Sequence, residues 1–178
     1  FQTLSYLKLM NKQHNYGLAP VGKSITEPLT FYSKKYTNLS QLRTGAKIGI
    51  PNDPSTEGRS LFVLEQAGLI KLKAGVGREG SPLDVISNPK KLKFVELDPA
   101  QTPRSLDDLD AAAVNGNYAY ISGLTKTRKG ILVEKPGPEY VNYIVVREKD
   151  KNAAWVKTLV KSYQDSTVRA FLNKSHKG

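Results

Sequence analysis

The sequence predicts an α/β fold with a mostly parallel sheet, because short apolar runs suited to strands alternate with segments of helical period. The clearest case is Lys47-Ile48-Gly49-Ile50, which leads into a helix carrying Leu61, Phe62, Leu64 and Ala67. A second is the small apolar run 111–114, which ends at Asn115. At 178 residues the chain lies between one large domain and two small ones.

The elements follow in order. Leu4, Leu7 and Met10 stand near helical spacing, and Asn15-Tyr16-Gly17 stops that helix. Residues 29–33 read as a strand and 38–42 as a short helix or turn. The strand 47–50 runs into Pro51-Asn52-Asp53-Pro54. There Asp53 is the expected N-cap, and Pro54 takes the first helical position, where its missing N–H costs nothing. Gly68 ends the helix. Residues 82–87 predict a short helix, 92–97 a strand, and Ser105 the cap of a helix over 106–109. Strands are expected at 111–114, 131–133 and 141–146. The helix over 152–163 turns Ala153, Val156, Leu159, Val160 and Tyr163 inward, and Asp165 or Ser166 caps a last helix.

Composition narrows the functions available. No apolar run approaches the length of a membrane span, and the opening residues 1–6 lack the basic start and apolar stretch of a signal peptide. There is no cysteine, and His14 and His176 lie in polar terminal stretches, so no metal site is expected. The net charge of +11 is concentrated in residues 1–26 and 140–178. Elsewhere the longest basic run is Lys90-Lys91 with Lys93, interleaved only by Phe94, so no nucleic-acid partner is expected.

Ligands of such sheets sit past the carboxyl ends of the strands, which singles out the loops after Ile50 and Val114. Arg59 stands in the first turns of a helix, where the dipole disfavours a cation unless an anion lies in front of it. It either grips such an anion or forms a surface pair with Glu57 or Glu65. Asn115 either holds an amine and a carboxylate with its amide or forms an ordinary Asn-Gly turn with Gly116. Gly75-Val76-Gly77-Arg78-Glu79-Gly80 matches the dinucleotide fingerprint in letters, with Glu96 about 20 residues on. Its setting fails, because Ile70-Lys71-Leu72-Lys73 alternates with charge and Pro82 and Pro89 leave little room for a helix.

Asp107, Asp108 and Asp110 read as the acidic first turn of the helix begun at Ser105, in preference to a metal cluster. No Ser, His and acid set is present, so no catalytic residue and no cofactor are expected, and the chain is read as a non-enzyme. The competing readings are a nucleotide-dependent oxidoreductase built on Gly75, Gly77 and Gly80, and a basic surface-interaction protein.

Several separate loops carry a resemblance. Residues 47–54 with Gly58-Arg59, the stretch 68–73, Asn88-Pro89-Lys90, residues 103–108 and Tyr140-Val141-Asn142 resemble the methionine-binding lipoproteins of ABC importers, the NlpA type. The match runs along essentially the whole chain. It implies a two-lobed periplasmic binding protein fold of type II, with residues 1–25 and 140–178 in the first lobe and 26–139 in the second. It also implies a protein that closes on L-methionine, or a related small amino acid or dipeptide, and docks on a permease and ATPase complex. Arg59 would grip the ligand carboxylate, Asn115 and Asn142 the head group, and Phe1, with Tyr6, the thioether side chain.

The sequence departs from the family at Thr3, where a histidine is usual, and at Thr56, where an asparagine is common. The family's lipidated cysteine, and the strand, helix and strand after it, have no counterpart before Phe1. The resemblance therefore implies a truncated chain whose first lobe is incomplete, with an exposed sheet edge or strands exchanged in a dimer. Its full-length form would be lipid-anchored at the periplasmic face of the inner membrane.

Overall fold

The computed structural model describes residues 1–135, 137 and 140–175. His176 and the expected boundary at residue 139 lie outside the described residues. In chain order the elements are β1 (Gln2–Thr3), α1 (Leu4–His14), β2 (Leu18–Thr26), β3 (Thr30–Tyr32), β4 (Lys47–Pro51), α2 (Glu57–Gln66), β5 (Lys71–Leu72) and β6 (Val85–Ser87). Then come β7 (Lys93–Leu97), β8 (Ala111–Val114), α3 (Gly116–Ile121), α4 (Leu124–Thr127), β9 (Leu132–Val133), β10 (Val141–Arg147), α5 (Ala154–Tyr163) and α6 (Ser166–Ser175). The chain forms two compact units, one of Phe1–Glu27 with Pro136–Gly178 and one of Pro28–Lys135.

The unit made from the two chain ends has a three-stranded antiparallel sheet in the order β1-β10-β2. Thr3 lies opposite Asn142 and Gln2 opposite Tyr143. Among the described residues β2 is hydrogen-bonded on one side only, which is where a strand tolerates Pro20. α1 ends at Asn15 in the left-handed conformation, with φ of 52°. Asn11 then ties the returning chain, its amide donating to the Leu18 carbonyl at 2.7 Å and accepting the Leu18 N–H at 3.1 Å. On α5 only Val156 is buried, and Leu159, expected inward, is 40% exposed. The buried stripe of α5 is therefore narrower than its apolar stripe.

The Pro28–Lys135 unit has a five-stranded sheet in the order β7-β4-β8-β3-β9. β4 pairs in parallel with β7 and β8, whereas β3 pairs antiparallel with β8 and β9. The sheet is thus mixed, with four of its five strands running one way and β3 alone reversed. The reason is topological: β3 brings the chain into this unit against the β-α-β core, and β9, antiparallel to β3, takes it out in the direction of β4, β7 and β8. Central strands need apolar side chains on both faces. Ile48, Ile50 and all of Ala111–Val114 accordingly have no measurable exposure. They pack with Leu29, Phe31, Leu61 and Leu64 in the main cores.

Several local expectations change in detail. α2 starts at Glu57 after Thr56, not at Pro54. Asp53 Oδ1 accepts the N–H groups of Ser55 and Thr56, making a separate turn ahead of the helix. Only Pro82–Asp84 is helical, as one 3-10 turn that passes into β6. Ser105 caps nothing: its hydroxyl donates to the Thr102 carbonyl at 2.8 Å, within a 3-10 turn at Arg104–Asp107.

The glycine-rich stretch 75–80 is not a strand-to-helix phosphate loop. It forms a 3-10 turn at Gly77–Glu79 behind the two-residue β5, which pairs only with β6. Arg78 lies over the Phe62 ring of α2, 4.5 Å from its centroid. Gly58 lets this turn approach the helix backbone, since a Cβ there would stand 2.6 Å from the Gly80 carbonyl oxygen and 2.7 Å from its nitrogen.

The three aspartates do not act together. Asp107 is exposed and pairs with Lys34, while Asp110 is buried. Among the described residues no group of acids or histidines could hold a metal ion, and no helix is long and apolar enough to cross a membrane. Asp110 accepts the Lys47 N–H at 2.8 Å and pairs with Arg43 at 3.2 Å, which ties β4 to the start of β8. Burial pushes its carboxyl up, but the Lys47 N–H and the Arg43 guanidinium outweigh that, so its pKa sits below the ordinary value. A depressed folded pKa stabilises the fold above the unfolded value of about 3.9 and ceases to do so as pH falls through the folded value. Asp110→Ala is therefore expected to cost about 1–3 kcal/mol at pH 7. In urea unfolding followed by circular dichroism, that difference from wild type should shrink as the pH is lowered below 4.

Candidate functional site

β4 and β8 are parallel neighbours, with Ile48 opposite Ala111 and Gly49 opposite Ala112. Their carboxyl ends therefore deliver two loops to one end of the sheet, the position at which such sheets bind ligands. From β4 the chain makes the Asp53 turn, reaches Thr56 and enters α2 with Glu57, Gly58 and Arg59. From β8 it passes directly to Asn115, which precedes α3.

The first turns of α2 are buried on nearly every side: Thr56, Gly58, Arg59, Ser60 and Leu61 all lie inside. A guanidinium in that position requires a partner, since an unpaired buried charge is costly. Glu134 is that partner. The Arg59 Nε donates to the Glu134 Oε1 and Oε2 at 3.0 and 3.1 Å, and its Nη2 donates to Oε2 as well. Arg59 is 8% exposed and Glu134 3%. The surface pair with Glu57 or Glu65 is not formed. Glu65 instead accepts the Leu72 N–H at 2.8 Å. Burial raises the Glu57 carboxyl, with repulsion from Glu96 and Asp53 adding to it.

Glu134 is itself fixed. Its Oε2 accepts the Leu29 N–H at 3.0 Å, and its own N–H donates to the Leu29 carbonyl at 3.0 Å. The acid thus joins the entering strand segment, the departing one and the helix bearing Arg59.

Asn115 occupies the N-cap position of α3 in extended conformation, not an Asn-Gly turn, and its side chain does not cap. The amide turns to Thr56, donating from Nδ2 to Oγ1 at 3.4 Å. Its Oδ1 is buried and has no hydrogen-bond partner, alone in this among the side-chain N and O atoms of the described residues. Arg59 and Asn115 are thus brought to one corner through Thr56.

The other three expected residues lie in the unit formed by the chain ends. Asn142 is half-buried on β10, its carbonyl accepting the Ser24 hydroxyl at 2.9 Å. The pairing of Thr3 with Asn142 sets the start of the chain beside that strand. Phe1 is 67% exposed and lies against Tyr163, ring centroids 4.8 Å apart. Tyr6 is half-buried on α1. Sequence reasoning missed Glu134 and Tyr163. The available signal for Glu134 was an acid placed directly after the apolar run Ile131-Leu132-Val133, where an ionised side chain needs a cation.

Comparison with known proteins agrees with this architecture. The D-methionine-binding lipoprotein MetQ of Salmonella typhimurium is 46% identical over 180 residues, covering all of this chain and 66% of that protein. Outer membrane lipoprotein 3 of Mannheimia haemolytica is 41% identical over 178 residues, covering 68% of its length. The chain thus spans just under two thirds of the MetQ relatives it matches. Among solved structures, a nutrient binding protein from Burkholderia cenocepacia bound to methionine superposes with a TM-score of 0.94 at 47% identity, covering 100% of this chain and 75% of that one. A periplasmic substrate-binding protein of an ABC transporter from Coxiella burnetii gives 0.92 at 46% identity, covering 99% and 74%. The fold is therefore that of the periplasmic substrate-binding proteins. The NlpA lipoprotein model matches residues 1–178. The chain therefore belongs to the NlpA lipoprotein family.

Proposed function

We propose that the chain is the substrate-binding component of an ABC importer, capturing L-methionine or a closely related small amino acid or dipeptide for delivery to the membrane permease and its ATPase. The observation that carries this reading is the orphaned Asn115 Oδ1, at the same strand-end corner as a buried guanidinium. A buried acceptor without a donor costs about 1–3 kcal/mol. An α-ammonium supplies that donor, and the carboxylate of the same ligand suits Arg59. The names of the relatives, and the methionine bound by the Burkholderia protein, support the choice of amino acid.

Arg59 and Asn115 take the head group in this proposal. Asn142, Phe1 and Tyr6 are the contributors proposed from the unit of the chain ends. Nothing in the reading requires a catalytic group. We place the protein at the periplasmic face of the bacterial inner membrane, held there by a lipid anchor, in keeping with the lipoprotein name of MetQ and the periplasmic substrate-binding protein from Coxiella burnetii. Strand exchange at the one-sided edge of β2 is the proposed form of any dimer.

Isothermal titration of the chain with L-methionine, D-methionine, small dipeptides and L-glutamate tests the reading. The expected result is saturable one-to-one binding of L-methionine and no binding of L-glutamate. Failure of every small amino acid and dipeptide to bind would reject it.

A further inference from the structure

A buried arginine facing a ligand carboxylate would, alone, favour any small anion. Here the arginine does not stand alone. Its positive charge is cancelled inside the protein by Glu134, and both groups are almost wholly withdrawn from water. A plain carboxylate arriving at such a pair leaves the corner with one uncompensated negative charge at low dielectric. An α-amino acid brings its own cation and leaves none. The orphaned Asn115 Oδ1 points the same way, because a hydrogen-bond acceptor rewards a ligand that donates.

We propose that Glu134 is a positioning and specificity-determining residue, which sets the direction of the Arg59 guanidinium and makes the site select a zwitterion over a simple carboxylate. This rests on the amino-acid capture proposed above. The positioning is visible in the contacts. Glu134 takes the Nε and Nη2 edge of the guanidinium, which fixes its plane before any ligand arrives. The carboxylate cannot readily swing away, because Leu29 donates to its Oε2 and the Glu134 N–H is bound to the Leu29 carbonyl. Glu134 therefore remains with Arg59 as a permanent counter-charge.

The test compares L-methionine with 4-(methylthio)butanoate, the same molecule without its amino group, by titration calorimetry. Wild type is expected to prefer L-methionine by roughly 100-fold or more, the size of discrimination a site built for a polar group achieves. Glu134→Gln should lower that ratio at least about tenfold, chiefly by admitting the simple carboxylate. Glu134→Asp keeps the charge and is expected to retain the wild-type ratio while binding both ligands more weakly. A folded Glu134→Gln protein with an unchanged ratio overturns the proposal. Should Glu134→Gln fail to fold, Glu134→Asp decides: a retained ratio supports the charge role, and a collapsed one overturns it. If wild type binds neither ligand, the amino-acid reading itself fails and this inference falls with it.

Discussion

Arg59→Ala should weaken L-methionine binding by roughly 30- to 1000-fold, equivalent to the loss of a charge-assisted bidentate contact of about 2–4 kcal/mol. The same change should lower the unfolding free energy by about 3–5 kcal/mol, because it strands Glu134 as a buried charge without its partner. The Leu29 N–H remains as a donor to that carboxylate, but a single neutral donor does not replace a guanidinium. Two measurements separate the effects: urea unfolding of the free protein, and calorimetry at a temperature where the variant is folded. The double substitution Arg59→Met with Glu134→Leu should recover most of the stability, since it removes both charges together, and should recover none of the binding. An Arg59→Ala protein as stable as wild type would contradict the buried pair. One that binds as tightly would remove Arg59 from the site.

Gly58→Ala should destabilise the protein by about 1–3 kcal/mol, although alanine is ordinarily the better helix former by about 1 kcal/mol. The added methyl group would meet main-chain atoms of Arg78 and Gly80, which cannot rotate away as a side chain can. Either α2 shifts or the turn at Gly77–Glu79 is pushed off, and the stacking of Arg78 on Phe62 is lost with it. Thermal melts of the free protein read the effect directly. Since Arg59 is the next residue along the helix, the ligand affinity should fall as well. A melting temperature equal to or above that of wild type would show that the turn is not packed as described.

The elements most legible in the sequence were those with a local cause. Leu4, Leu7 and Met10 on a helical period, with Asn15 to stop them, define α1 without reference to anything distant. Lys47-Ile48-Gly49-Ile50 before the Asp53 turn, and Gly68 after the last turn of α2, mark the β-α step in the same way. Where the reading slipped, competition from neighbours was the cause. Asp53 spends its side chain on its own turn, so the helix starts three residues later. Ser105 finds the Thr102 carbonyl and caps nothing. The reversal of β3 could not be read from any period, because it depends on where the chain enters the unit.

The candidate site divides along the same line. Arg59 and Asn115 could be singled out because each follows a strand end, a rule that needs only local sequence and a fold class. Their settings were not legible. Glu134 lies 75 residues from Arg59 in the chain, and no spacing rule connects them. Thr56 could be noted as a departure from the family, but its hydroxyl as the partner of the Asn115 amide is a fact of three dimensions.

The mutual bonds of Leu29 and Glu134 have a consequence for how the chain is assembled. They fasten the residues next to the two ends of the Pro28–Lys135 segment to each other, and Thr30 with Val133 continues the closure in register. To its host sequence this segment is a cassette with its two leads soldered side by side. Joined end to end in this way, the segment is expected to keep its own fold when expressed alone or permuted at an exposed loop.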